Sequence, residues 1–571
     1  MQKVQKKWFV RTKKADFQAI AARFHIDQVT ARLLCNRGLE TEEEIENYLH
    51  GNLSSLPDEN KLPDMEKAVH LLLQKIKEKK RIRIVGDYDI DGVCATYLLY
   101  RGLVRCGASV TYAIPDRIKD GYGINIHIID HAIADGVDTI VTCDNGIAAI
   151  EELKHAKEAG LCVILTDHHD VRKTESGSDV LPPADAIVNP KRSDNTYPEA
   201  AICGAVVAWL LLRRLYRELG IPETEWLSLL EFAAIATVGD VMPLSGMNRI
   251  IVREGLKYIN KGAVNTGLRS LIAQCELSGK KISSYHIGFV IGPCINAGGR
   301  LESAELALKL FLTNNEEAAQ QAALRLKALN DERKEMTESG TKEAAALVES
   351  QYAKDKVLVV YLPKLHESLA GIVAGRLREQ FGKPAFVLTD SESGLKGSGR
   401  SIEAYHMFEA LCEVAKLLTK FGGHPMAAGL SLPPENLDAF REQLNARAKL
   451  EEADFVQKVW IDVPMPLSYV TENLIGELSL LEPFGQGNEK PVFAERGIKA
   501  LHLRVLGKNR NVLRMDLCEP NGHIMPGILF GDADALKQEI EKKRHISILY
   551  YPQINEYNGY RSLQAVVTDF C

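Results

Sequence analysis

The sequence predicts an α/β protein: two α/β domains joined by a long helix, followed by a small all-β module. Three observations carry this prediction. From about residue 80, short β-branched runs alternate with helical segments, the pattern of a parallel sheet. The charged stretch EEAAQQAALRLKALNDERKEM reads as one long helix, a natural strut between domains. Near residue 450 the text changes to KVWIDVPM, GIKALHLRVLG and NVLRMDL, which read as antiparallel strands.

The elements follow in order. RIRIV is a strand, Val93 to Arg105 an apolar helical segment, and SVTYAIPD, TIVTCDNG, CVILTDHH and AIVNP supply further strands. In WLSLLEFAAIATVGDVMPL an apolar helix stops at Gly239 and Asp240, in front of Pro243. The stretch from Thr313 to Glu316, TNNE, is expected to form a capping box that opens the long helix. A second α/β unit begins at KVLVVYL and includes PAFVLTD, and its glycine-rich stretches GLKGSGRS and FGGHPMAAG are expected to be loops.

With 571 residues, 46% hydrophobic and 26% charged, the chain has a globular composition and is too long for a single core. No run resembles a membrane span, and the basic start MQKVQKKWFV lacks the apolar core of a secretory signal, so a cytoplasmic protein is expected. Eleven cysteines without a C-x-x-C pair argue against a disulfide framework or a zinc ribbon. The net charge of −6 leaves the partner open, because phosphate affinity depends on local patches.

The chemistry concentrates at strand ends. GDYDIDG carries Asp87, Asp89 and Asp91 on alternate residues, a density of charge that a cation must neutralise. An EF-hand fails here, because its twelfth loop position would be Leu98 and a strand leads in. Asp144 ends a second strand, and Asp167, His168 and His169 end a third. In an open parallel sheet these carboxyl ends share one edge, where ligands bind. Alone, each aspartate would read as a turn or cap residue. Together, carboxylates with imidazoles and no thiol suit Mn²⁺ or Mg²⁺, with enough ligands for two ions, and Asp144 could bridge them.

DHH at Asp167 to His169, preceded by GDYDIDG and TCDNG and followed by VGDVMPL, resembles the DHH phosphoesterase superfamily. GPCINAGGRL, SGRS, GGHPMAAG and EPFGQGNEKPVF resemble its RecJ branch of single-strand-specific exonucleases. The resemblance runs from about residue 50 to the end. It implies a metal set of Asp87, Asp89, Asp91, Asp144, His168 and Asp240, with Asp144, His168 and His169 catalytic. It also implies an N-terminal segment at 1–50, a DHH domain at 51–270, a helical connector at 271–350, a DHH-associated domain at 351–450 and an OB-fold at 451–571. Arg300, Ser398, Arg400 and His424 are candidate hydrogen-bond donors to phosphate oxygens, and Lys508 and Arg510, in an expected hairpin turn, are candidate strand contacts. The implied function is 5′ to 3′ exonuclease action on single-stranded DNA in recombination and repair, releasing 5′-mononucleotides. Single-strand-binding protein and a helicase are the implied partners of a monomer. The alternative is a phosphoesterase acting on short oligonucleotides or cyclic dinucleotides.

Overall fold

The computed structural model describes residues 5–262, 265–392, 394–557 and 559–571. Its first sheet has five parallel strands in the order Ser109–Ala113, Arg81–Val85, Thr139–Cys143, Cys162–Thr166 and Ala186–Val188. Helices cover both faces, which is why the central strands Thr139–Cys143 and Cys162–Thr166 are buried almost throughout. Ile84, Val141 and Ile164 pack with the helices Ile90–Arg105 and Gly204–Glu218 on one side. Ile140, Val163 and Leu165 pack with Ile126–Ala134 and Ile150–Glu158 on the other. The chain reverses direction across the sheet between Arg81–Val85 and Thr139–Cys143, so a crevice opens at their carboxyl ends.

The helix Glu316–Leu347 runs for 32 residues, about 48 Å. Its N-cap is Asn315, whose side chain accepts from Ala318 N, in place of the expected capping box at Thr313; the Thr313 hydroxyl is instead spent on Asn315 N. Beyond it lies a second five-stranded sheet, ordered Lys420–His424, Ala427–Leu432, Gly394–Arg400, Ala385–Ser391 and Leu358–Tyr361, with only the last pair parallel. The two glycine-rich stretches expected to be loops are therefore strands of this sheet. Packing is the reason: a Cβ at Gly399 would lie 2.5 Å from Met407 Sδ and 2.6 Å from the Phe386 ring. Gly422 and Gly429, paired directly, face open space and leave bare backbone.

The C-terminal sheet closes on itself, because Phe493–Leu506 pairs with both Val512–Cys518 and Ile546–Tyr557. The N-terminal segment completes this barrel. Leu33, Leu34, Ile45 and Tyr48 enter its core, and the strand Lys6–Val10 pairs in parallel with Gln457–Ile461. Arg249 docks the barrel on the first domain, donating to Tyr48 O at 3.2 Å, Leu481 O at 2.9 Å and Leu480 O at 2.6 Å. Among the described residues, no helix is long and apolar enough to cross a membrane.

Within the barrel, burial and the hydrogen bond to Glu519 push the Glu495 carboxyl up to about 7. Its unfolded value is lower, so the barrel loses stability as pH rises through the folded value. Glu495→Gln should therefore raise the melting temperature above that pH and leave it unchanged well below. An equal shift at both pH values would contradict the shared-proton pair.

Candidate metal centre and strand groove

Both glycines of GDYDIDG are demanded by the fold of the loop. A Cβ on Gly86 would meet Thr96 Oγ1 at 1.9 Å, and one on Gly92 would meet Asp87 O at 2.5 Å. The chain turns tightly into the helix Ile90–Arg105, whose first amides are capped by Asp89: its Oδ1 accepts from Asp91 N at 2.9 Å and Gly92 N at 3.0 Å. Asp91 reaches a second helix start, accepting from Gly204 N at 2.6 Å and Ala205 N at 2.8 Å. Gly204 is required there, since a Cβ would lie 2.7 Å from that of Asp144.

Asp144 sits at φ 62°, a left-handed conformation that costs a non-glycine residue energy, and its amide donates to Thr166 O. His168 Nε2 lies 3.1 Å from Asp144 Oδ1, 3.6 Å from Asp91 Oδ2 and 3.7 Å from Asp240 Oδ2. Asp240 arrives from outside the sheet, at the end of the buried helix Leu230–Gly239. His169 turns away, its ring inclined 63° to that of His168 and its Nδ1 2.7 Å from Asp167 Oδ1. Asp167 is an organiser, accepting also from Ile147 N and His168 N.

The side chains form three overlapping groups whose ligand atoms lie within 4.8 Å of one another: Asp87, Asp89 and Asp144; Asp91, His168 and Asp240; Asp144, His168 and His169. Burial and the charge of Asp89 push Asp87 up to about 8, while burial and the charge of Asp91 do the same to Asp240. Asp144 is raised well above the carboxylate range by burial and three neighbouring aspartates of the loop. Asp144 Oδ1, Asp240 Oδ2 and His168 Nδ1 are buried with no hydrogen-bond partner. Crowded carboxylates with orphaned buried atoms fit hard divalent cations, and the all-oxygen-and-imidazole donor set fits Mn²⁺ or Mg²⁺.

The second domain faces this cluster. Gly299 lets the helix Gly292–Leu301 approach the aspartate loop, since a Cβ there would be 2.4 Å from Tyr88 O. That helix carries Arg300, whose Nη1 donates to Ser368 O at 2.8 Å across the domain boundary. Burial lowers the Arg300 guanidinium to about 10. Ser398 lines a cleft of about 400 Å³ with Tyr88, Arg117, Lys396 and Lys420. Arg400, at the end of the same strand, donates to Gly399 O. His424 is exposed at a hairpin end, where its charge joins the stronger influence of Lys191 in holding Asp170, next to His169, below the usual range.

Sequence reasoning missed Tyr122, whose hydroxyl donates to Asp144 O at 2.9 Å and lies 3.1 Å from the His169 ring nitrogens. The dense polar run PDRIKDGYG was the available signal, and it also contains Arg117, 4.7 Å over the Tyr88 ring. A groove of about 1350 Å³ was missed as well. It runs from Val238 to Met242, beside Asp240, to Tyr551 and Gln553 of the barrel. Tyr285 and Phe289, 62% and 68% exposed, stack 5.0 Å apart on its wall, and Lys257, Lys281 and Lys490 line it. Lys508 is exposed in the turn between Phe493–Leu506 and Val512–Cys518. Arg510, in the same turn, is committed to Asp534 through two contacts of 2.6 Å.

Models of the DHH family N-terminal domain, the DHHA1 domain and the RecJ OB domain match residues 81–237, 354–450 and 461–569. The chain is 35% identical over 560 residues to the single-stranded-DNA-specific exonuclease RecJ of Bacillus subtilis, covering 97% of this chain and 69% of that one. Its structure is similar to that of RecJ from Thermus thermophilus in complex with Mn²⁺, with a TM-score of 0.84 and 30% identity over 100% of this chain and 80% of that one. The Mg²⁺ complex of the same protein gives a TM-score of 0.78 at 28% identity, covering 99% and 78%. Three domain matches in order, near-complete coverage and a shared architecture place this chain in the RecJ family of the DHH phosphoesterases.

Proposed function

We propose that the protein is a metal-dependent exonuclease that degrades single-stranded DNA from its 5′ end, releasing 5′-mononucleotides, in DNA recombination and repair. The observation that carries this reading is the convergence of buried carboxylates and an imidazole, with unpartnered atoms, at one edge of the parallel sheet. Asp87, Asp89, Asp91, Asp144, His168 and Asp240 are the ligand set for two Mn²⁺ or Mg²⁺ ions. When bound, such ions supply a hydroxide at neutral pH and neutralise charge on the attacking and leaving oxygens.

The chain's own residues do the rest. Asp144 belongs to groups on both sides of the cluster, so it is the residue suited to bridging. Burial disfavours a cationic His169, but the hydrogen bond and charge of Asp167 overcome this and raise the imidazole to about 9. Asp167 thus orients this imidazole through Nδ1, and the ring is the candidate donor toward a phosphate oxygen. Arg300, Ser398, Arg400 and His424 hold the terminal phosphate and set which bond is cut. The groove leads the remaining strand toward the barrel, where Tyr285 and Phe289 offer faces for unstacked bases. Lys508 is the better of the two turn cations for the strand, Arg510 being neutralised by Asp534. A monomeric, cytoplasmic enzyme of this kind needs an unwound strand, so a helicase and a single-strand-binding protein are its proposed partners.

The test is degradation of 5′- and 3′-labelled strands with Mn²⁺ or Mg²⁺. Immediate release of 5′ label as mononucleotide, absent with chelator and with duplex, is expected; release of 3′ label first would overturn the polarity. A charge-assisted contact contributes about 1.5–3 kcal/mol. Arg400→Ala should therefore cost more activity on 5′-phosphorylated strands than on 5′-hydroxyl strands, and an equal loss on both would remove Arg400 from terminal-phosphate binding.

A further inference from the structure

The parallel ribbon of Lys6–Val10 and Gln457–Ile461 presents two unlike faces. Its inner face is anchored to the barrel: Lys6 Nζ and Trp8 Nε1 lie 3.2 Å and 3.4 Å from Asp569 Oδ2, and Ile461 is buried. Alternation then turns Lys7, Phe9 and Arg11 outward from one strand, and Lys458 and Trp460 from the other. Register sets Lys7 opposite Lys458 and Phe9 opposite Trp460. The two rings lie 5.5 Å apart, 38% and 46% exposed, with the Arg11 guanidinium 5.7 Å from the Trp460 ring. Asp462 reaches only the Arg11 end, at 3.4 Å. Among the described residues, Lys7 and Lys458 have no ion-pair partner.

We propose that this outer face is a second contact site for single-stranded DNA, outside the groove. The proposal rests on the exonuclease reading above. Unpaired cations beside exposed ring faces match a polyanion whose bases are free to stack. A duplex, with its bases already stacked, would use the lysines alone. An acidic peptide would have no use for the adjacent rings as a stacking pair. A face on the barrel that held the same strand would raise its local concentration at the groove.

The test uses the full chain with metal chelated, a labelled thymidine homopolymer, a duplex of the same length and a polyglutamate peptide. Phe9→Ala with Trp460→Ala should weaken homopolymer binding about tenfold, the loss of a base stack, and leave duplex binding unchanged. Lys7→Gln with Lys458→Gln should lower the log–log salt slope by about 1.4, from two phosphate contacts at about 0.7 each. With metal restored, turnover of a trinucleotide should be that of the wild type in both variants. Wild-type affinity and slope in both variants, with unchanged melting temperature, would overturn the proposal. So would an equal loss on duplex in the ring variant, or a loss confined to polyglutamate. Failure of the wild type itself to bind the homopolymer would overturn the exonuclease reading, and this proposal with it.

Discussion

Asp144→Ala is expected to remove hydrolysis by several orders of magnitude while binding of long single strands survives. Its Oδ1 lies 3.1 Å from His168 Nε2, nearer than Asp91 or Asp240, and the residue belongs both to the group with Asp87 and Asp89 and to the group with the histidines. Removing a shared ligand disables both halves of a two-ion centre. The groove and barrel do not depend on it. The backbone offers a control, because φ at Asp144 is 62° and asparagine tolerates the left-handed region better than alanine. Asp144→Asn should therefore keep the melting temperature and still lose turnover. Near-normal rates from the folded asparagine variant, with either metal, would remove the bridging role.

The second large effect is structural. Arg249 is 2% exposed, lies 3.9 Å from the Tyr48 ring and satisfies three carbonyls that belong to the N-terminal segment and the barrel. Leu481 O keeps the Tyr48 hydroxyl and Asn488 Nδ2 as donors and Leu480 O is half-buried, so only Tyr48 O is left wholly without a donor. At about 1–3 kcal/mol for a lost buried donor, plus the smaller loss at the other two, Arg249→Leu should cost about 2–4 kcal/mol. Neighbouring Leu244 N, which donates to Gln486 O, cannot replace those bonds. In urea the barrel should undock first, seen as early proteolysis near residue 480. Long-strand binding should fall before trinucleotide turnover does, since the groove lies between the two bodies and the metal cluster lies in one. A loss below about 1 kcal/mol would show that the barrel is held by its apolar contacts alone.

The site was legible in the sequence where topology alone could bring it together. Asp87, Asp89, Asp144 and His168 follow strands of one parallel sheet, so period and strand order suffice to gather them. Asp240 was not legible in this way, because it reaches the cluster from a helix end and depended on family resemblance. The glycines of the second domain misled because glycine signals turns, whereas Gly399 is imposed by Phe386 and Met407, which lie far from it in sequence or on another element. The capping residue shifted from Thr313 to Asn315 within one four-residue stretch, below the resolution of a pattern. Nothing local announces that Lys6–Val10 pairs with Gln457–Ile461, that Arg249 reaches Leu480, or that Arg510 is neutralised by Asp534. Long-range partners of this kind leave no trace in local periodicity. Tyr122 belongs to the same class, its role set by the meeting of two loops.

The central claim is that these aspartates and His168 form a two-ion centre shared through Asp144. Titration of the metal-free protein with Mn²⁺, followed by calorimetry and by electron paramagnetic resonance, tests it without reference to activity. Two tight ions per chain with a spin-coupled signal are expected, and Asp144→Asn should lose the coupling and weaken both. A single ion, or two uncoupled ions whose affinities are unchanged in Asp144→Asn, would contradict it.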